Sequence, residues 1–274
     1  MFAFSTLMLE NFGDSAFSHA ADIVTAGVKN IELTWSIGLP LDDKKMLLDR
    51  SGEILKTGVK IISMHTPLRD GNGKDLDISA ADNWDRKFAI REIQKSMIAF
   101  RLAAPEHGEK TVIHCGRKFD RAREKTRFEK AIESLKEILD FNLEFGYELC
   151  LENTLPGDVG CFLEDLLLIK EKLNSEKIKF CFDTGHYNIG RKQDDILTEM
   201  TKDISEIHLH DNNGKSDEHR PPGDGNIVWE DLFAKISGWS GTPVFELMES
   251  AADGIGKCLK FTQESGLLPA EPLE

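Results

Sequence analysis

Eight short apolar runs recur along the chain, and a longer stretch with helical spacing follows each of them. The runs are FAFSTL from Phe2, NIELTW from Asn30, VKIISMH from Val59, KTVIHC from Lys110, YELCLEN from Tyr147, KIKFCFD from Lys177, ISEIHLHD from Ile204 and PVFELM from Pro243. Each is rich in Ile, Val, Leu or Phe, and Gly, Asp, Asn or Pro flanks most of them, as parallel strands buried on both faces require. Between residues 121 and 145, Ala131, Ile132, Leu135, Ile138, Leu139 and Leu143 recur at three- and four-residue steps, the spacing of an amphipathic helix. A second helix is expected from near Trp84, with Ile90, Ile93, Met97 and Phe100 on its apolar face. Further helices are expected from near Ser15, Asp42, Cys161, Gln193, Trp229 and Asp253. Eight such units with no break in composition predict a single (β/α)8 TIM barrel over residues 1–274, a length that suits a fold of about 250 residues. A doubly wound open sheet is the competing arrangement. It places a glycine-rich turn after its first strand, whereas the turn here, LENFGDS, holds only Gly13.

Composition narrows the setting. Hydrophobic residues make up 40% and charged residues 30% of the chain, enough for a sizeable core. Apolar runs such as Val59 to Met64 fall far below the roughly 18 residues of a membrane span, so no membrane partner is expected. The start, MFAFSTLMLENFGDS, has no basic residue before its apolar part, which argues against a secretory signal. The cysteines, Cys115, Cys150, Cys161, Cys181 and Cys258, are odd in number and scattered, with no CxxC. Neither a disulfide framework nor a thiolate zinc site follows, and a reducing cytoplasm is the expected compartment. A formal charge of −14 speaks against nucleic acid held by broad electrostatics, though bound cations or a local basic patch reverse that sign where they occur.

In a (β/α)8 barrel the chemistry gathers at the C-terminal ends of the strands. Here the third strand ends in His65, the fourth in His114, the fifth in Glu152 and the sixth in Asp183, with His186 three residues on. The seventh carries His208 and His210, the loop after it carries Asp217 and His219, and the eighth carries Glu246. Only His19 and His107 fall elsewhere. One such residue alone reads as a core histidine or a helix cap, but donors on six consecutive strands point to a metal site. Nitrogen and oxygen donors without thiolate suit Zn, Mn or Co. Alternation puts His208 and His210 on one face and does not choose between them. By the same rule Cys150 and Cys181 point into the barrel below the metal, as buried unreactive thiols, and Cys115 faces the other way. PPGDGN, with Gly223, Asp224 and Gly225, reads as a turn into the helix near Trp229. Trp35 and Trp229 fit a pocket wall or the core equally well.

These residues carry a family likeness. LEN (Leu151, Glu152, Asn153), DTGH (Asp183 to His186), IHLHDNNGKSDEHRPPGDGNI and FELME resemble the xylose-isomerase-like (β/α)8 superfamily over nearly the whole chain. That superfamily includes sugar and sugar-phosphate isomerases and epimerases, and apurinic endonucleases of the endonuclease IV type. The epimerase resemblance implies one divalent ion on Glu152, Asp183, His208 and Glu246. The two glutamates would then act as acid and base, and His186 would contact substrate oxygens. The endonuclease resemblance implies three zinc ions on His65, His114, Glu152, Asp183, His186, His208, Asp217, His219 and Glu246. All nine are present, but the surroundings depart from the endonuclease pattern: FDTGH stands where those enzymes have DTCH, and His210 stands where they have Asn.

The leading expectation is therefore a divalent-metal-dependent isomerase or epimerase of a sugar or sugar phosphate, working through a metal-stabilised enediolate with one to three ions. The alternative is an endonuclease IV-type apurinic endonuclease or a related zinc phosphodiesterase. Arg69, Arg117, Lys118, Lys215 and Arg220 are candidates to bind a phosphate group. The turns LENFGDS and SIGLPLDD are short and acidic, a poor start for gripping DNA. A third possibility is a binding protein that has lost catalysis, with or without a structural metal; so many polar groups in one pocket argue against it, since they are unfavourable unless a metal or ligand satisfies them. Oligomeric state is not legible.

Overall fold

The computed structural model describes residues 2–6, 27–34, 45, 48, 49, 52, 55–104, 106, 108–117, 124–190, 192–248 and 251–265. Its strands are β1 (Ala3–Ser5), β2 (Asn30–Thr34), β3 (Lys60–His65), β4 (Lys110–Ile113), β5 (Glu148–Glu152), β6 (Ile178–Asp183), β7 (Ile204–Leu209) and β8 (Thr242–Phe245). They run parallel in chain order and close into a barrel, with Phe4 of β1 opposite both Ile31 of β2 and Phe245 of β8. The described helices are α1 (Asn83–Ala103), α2 (Glu124–Asn142), α3 (Leu163–Leu173), α4 (Thr184–Ile189), α5 (Asp194–Met200), α6 (Trp229–Lys235) and α7 (Ala251–Ser265). The (β/α)8 barrel expected from the alternation is the observed fold. His19, Trp35, His107, Lys118, the turns LENFGDS and SIGLPLDD, the helix expected from Ser15, the start of that expected from Asp42 and the tail from Gly266 lie outside the described residues.

The helices form where the apolar spacing and the caps agree. Asp82 accepts hydrogen bonds from the Trp84 and Asp85 amides and starts α1, whose Ile90, Ile93, Met97 and Phe100 are buried against the barrel. On α2, Ala131, Leu135 and Ile138 are fully buried. Leu143 departs from its expected place on that face and is 78% exposed. The helix stops at Asn142, whose amide binds both the carbonyl and the N–H of Tyr147, and the chain turns toward β5 there. Inside the barrel, Val112, Cys150 and Cys181 form a small buried group, while Cys115 joins the larger core between strands and helices. Trp229 is a core residue as well.

The loop after β7 is built around one carboxylate. Fully buried Asp211 accepts hydrogen bonds from the amides of Asn212 (2.8 Å), Gly223 (3.0 Å) and Ile227 (3.2 Å) and from the indole N–H of Trp229 (3.1 Å). Asp211 and Arg220 also exchange backbone hydrogen bonds at 2.7 and 2.9 Å, which closes residues 211–220 into a hairpin. Gly225 has to be glycine, because a Cβ there would lie 2.1 Å from Asp211 Oδ1. PPGDGN is thus a turn held by Asp211, as its sequence predicts.

Asp211→Ala would orphan four N–H groups at once. It is expected to cost about 3 kcal/mol or more and to lower the melting temperature by about 6–12 °C in a calorimetric scan. An unchanged melting temperature would show that the loop does not depend on this carboxylate.

Candidate metal centre

The barrel brings all nine expected donors to its C-terminal mouth. His65, Glu152 and Asp183 are the last residues of β3, β5 and β6, His208 lies within β7, and His114 and Glu246 follow β4 and β8 directly. Asp217 and His219 come from the hairpin that Asp211 holds. Their ligand atoms fall into three groups, each within 4.8 Å: His65, His114 and Glu152; Glu152, Asp183, His208 and Glu246; and His186, Asp217 and His219 together with His210; His208 also falls in a fourth group with Glu32 and Glu206. Glu152 belongs to two groups. Asp183 ends β6 and also caps α4, accepting from the His186 amide at 2.6 Å, which fixes His186 on the first turn of that helix.

The ring nitrogens reveal what the groups require. Nδ1 of His65 donates to the Thr66 carbonyl (2.8 Å), Nδ1 of His186 to the Asn153 carbonyl (3.0 Å) and Nδ1 of His219 to the Glu246 carbonyl (3.1 Å). A carbonyl only accepts, so each ring carries its proton on Nδ1 and a neutral ring presents a bare Nε2. Those bare nitrogens face carboxylate oxygens: His65 faces Glu152 Oε2 at 3.1 Å, and His186 and His219 face Asp217 Oδ2 at 3.3 and 3.1 Å. Two acceptors in contact need a cation between them, a proton or a metal ion. Tethering of Nδ1 to a carbonyl is also how ligating histidines are oriented. The donor set, imidazole and carboxylate without thiolate, fits zinc, manganese or cobalt.

With protons alone, the electrostatics follow. Burial disfavours charge on His65 and His219, but the carboxylates beside them prevail and raise both to about 9. His186 is raised well above its ordinary value, Asp183 and Asp217 outweighing burial. Burial pushes the carboxyls of Glu152, Glu246 and Asp217 up, yet the histidines around them hold all three well below the usual carboxylate range. His219 adopts a left-handed backbone, with φ of 45°, a strained conformation for a residue with a Cβ. The site holds it there through its Nδ1–H and through its carbonyl, which accepts from the Met248 amide.

Two buried carboxylates were not among the expected site residues. Nε2–H of His208 donates to Glu32 Oε2 at 3.2 Å and lies 3.7 Å from Glu206, leaving Nδ1 to face Glu152 and Glu246, each at 3.3 Å. Burial raises Glu32 to about 7, with His208 opposing it. Their sequence signal was alternation: Glu206 shares a face with His208, and Glu32 interrupts an apolar strand.

A cavity of about 330 Å³ opens onto the three groups. Of the candidate phosphate-binding residues, Arg69 and Arg117 line it and meet at Asp75, at 3.3 and 2.9 Å. Arg220 instead pairs with Glu218, and Lys215 does not reach the cavity. Burial pushes the thiols of Cys115, Cys150 and Cys181 up, so they stay protonated. No described helix is long and apolar enough to cross a membrane.

Comparison with known proteins places these observations. Residues 20–264 match the family model described as xylose isomerase-like TIM barrel. The uncharacterized protein MJ1614 of Methanocaldococcus jannaschii is 26% identical over 258 residues, covering 92% of this chain and 94% of that protein. Among solved structures, a D-tagatose 3-epimerase-like protein superposes with a TM-score of 0.80 at 24% identity, covering 96% of this chain and 97% of the other. The IolI protein with a bound zinc atom superposes with a TM-score of 0.78 at 18% identity, covering 95% and 96%.

The raised histidines set a pH dependence. In the folded chain without divalent ions, His65 and His219 keep their protons to about pH 9, against an ordinary value of 6.5. Their contribution to stability is complete below pH 6.5 and is lost as the pH climbs through 9. A divalent ion held by these groups would replace those protons, so the rise in melting temperature on adding zinc or manganese is expected to be small at pH 6 and large at pH 9. Thermal scans with metal and with chelator across that range check it, and an equal rise at both ends would refute the assignment.

Proposed function

The chain belongs to the xylose isomerase-like TIM barrel family, and on that premise we propose that it is a divalent-metal-dependent enzyme that cleaves a phosphate ester of a small, sugar-type substrate. One observation carries the reading. Both oxygens of Glu152 are taken by histidines, Oε2 by His65 and His114 at 3.1 and 2.7 Å and Oε1 by His208 at 3.3 Å. Three of that carboxylate's four lone-pair sites are thus engaged, and as a member of two donor groups Glu152 would be held by two neighbouring ions. Isomerisation through two glutamates asks each of them to exchange a proton freely with substrate, and Glu152 is the more encumbered of the pair. When bound, adjacent divalent ions would stabilise charge on a phosphoryl group and make water a nucleophile at neutral pH.

The chain's own residues supply the rest. His65, His114, Glu152, Asp183, His208 and Glu246 would hold two neighbouring ions, and His186, Asp217 and His219 a third. The side chain of Arg117, 20% exposed at the cavity wall, would bind the phosphate through its guanidinium, with Arg69 at the rim. A cavity of about 330 Å³ admits a small molecule, and the charge of −14 makes nucleic acid the less favoured substrate. Glu246, ionised, lines the same cavity beside these positions. The second reading, a sugar isomerase or epimerase, draws on Glu152 and Glu246 standing in one four-donor group open to this cavity.

Elemental analysis after loading with zinc or manganese is expected to give three ions per chain, with metal-dependent phosphate release from sugar phosphates or small phosphodiesters. Because Glu152 is shared, Glu152→Ala should lose two ions where Asp217→Ala loses one. Arg117→Ala should raise KM for the phosphorylated substrate about tenfold or more, with a smaller change in kcat. Ketose turnover by a chain holding one ion would replace this reading with the second. A chain that takes up no ion would end both.

A further inference from the structure

His210 and Gly185 are both departures from the endonuclease pattern, and the structure makes them one feature. The imidazole of His210 is fully buried and lies against the backbone of residue 185. A Cβ built on Gly185 would fall 2.0 Å from His210 Cε1 and 2.3 Å from Nδ1, distances no side chain tolerates. The backbone at residue 210 cannot draw away, because Thr184 ties the two segments together. Its hydroxyl lies 3.0 Å from the carbonyl oxygens of both His208 and His210, and it accepts from the His210 amide at 3.2 Å. Residue 185 is therefore glycine because residue 210 is histidine.

The geometry also separates His210 from the ligands. Its ring stacks on that of His219 with centroids 3.9 Å apart and planes within 8°. Imidazole lone pairs lie in the ring plane. Two parallel rings at that separation cannot both aim at one ion about 2.0–2.1 Å from each nitrogen. Nε2 instead approaches Asp183, at 3.0 and 2.9 Å from its two oxygens, so it carries the proton and donates it. Nδ1 is buried and has no hydrogen-bond partner among the described residues. One side chain thus touches a ligand of the group built on β5–β8 through its N–H and a ligand of the group on the hairpin through its ring face.

We infer that His210 is a positioning residue that ties two of the three metal groups together, orienting Asp183 by a hydrogen bond and His219 by stacking, and that Gly185 is the residue that admits it. The inference rests on the metal-centre reading and adds a coupling that the nine donors do not contain. His210 is not itself a ligand, so its loss changes affinity and ligand geometry without removing an ion position.

Zinc and cobalt titrations against a chromophoric chelator, with the visible spectrum of the cobalt-loaded chain, test it on the full protein. His210→Ala is expected to retain the wild-type ion count, to weaken binding about 10–100-fold and to alter the cobalt spectrum. Gly185→Ala should be worse than His210→Ala, in folding or in metal uptake. The double variant Gly185→Ala/His210→Ala should return to the His210→Ala level, because the clash has gone. If His210→Ala binds with wild-type affinity and spectrum, or if the two substitutions simply add, the inference is overturned while the metal centre stands. If His210→Ala loses one whole ion, His210 is a ligand and the positioning role is wrong. A wild-type chain that binds no divalent ion overturns the metal centre and this inference together.

Discussion

The contact on which the mouth of this barrel depends is imidazole against carboxylate with too few protons between them. Three histidines spend their Nδ1–H on main-chain carbonyls and turn bare nitrogens toward Glu152 and Asp217. Buried in low dielectric, such contacts are unfavourable unless a cation joins the two sides. Protons do so at moderate pH, which is why His65 and His219 are raised to about 9, and divalent ions do so more completely. Much of the surrounding structure serves to keep these groups facing one another: Asp211 anchoring the hairpin, Asp183 capping α4, and the left-handed backbone of His219.

Glu152 bears most directly on the chemistries that the family fold leaves open. A barrel with one four-donor group supports proton transfer by paired glutamates, but here the histidines from β3, β4 and β7 converge on one of that pair. On the proposed reading this carboxylate would hold cations rather than exchange protons with a substrate. The arginines meeting at Asp75 put positive charge at the cavity of a strongly acidic chain. Below this layer, Glu32 takes the outer N–H of His208 and leaves its other nitrogen to the centre.

Fold and donor set were legible because both follow from local rules. A parallel strand buried on two faces has to be a short apolar run, and eight of them separated by helical spacing have few ways to close. Strand ends in such a barrel share one face, so histidines and carboxylates placed there must meet. What was not legible depended on contacts between distant segments. Alternation put Glu206 on the face of His208, and Glu32 interrupted an apolar strand, but nothing local marks which carboxylate lies beneath a histidine on the far side of the ring. The short helix from Thr184 to Ile189 was hidden in DTGHYNI, whose glycine disfavours a helix until Asp183 caps it. Leu143 kept the helical period but fell beyond a helix end that Asn142 sets through Tyr147.

The sequence by itself determined that this chain closes into an eight-stranded barrel and gathers nitrogen and oxygen donors at one end, because periodicity and strand polarity are properties of neighbouring residues. Only the tertiary structure decided how those donors divide into groups, that Glu152 is shared between two of them, and that His210 stacks on His219 while its Nε2 faces Asp183. Those outcomes depend on which ring nitrogen finds a carbonyl and on whether residue 185 leaves room for an imidazole, distances of a few ångströms between segments far apart in the chain.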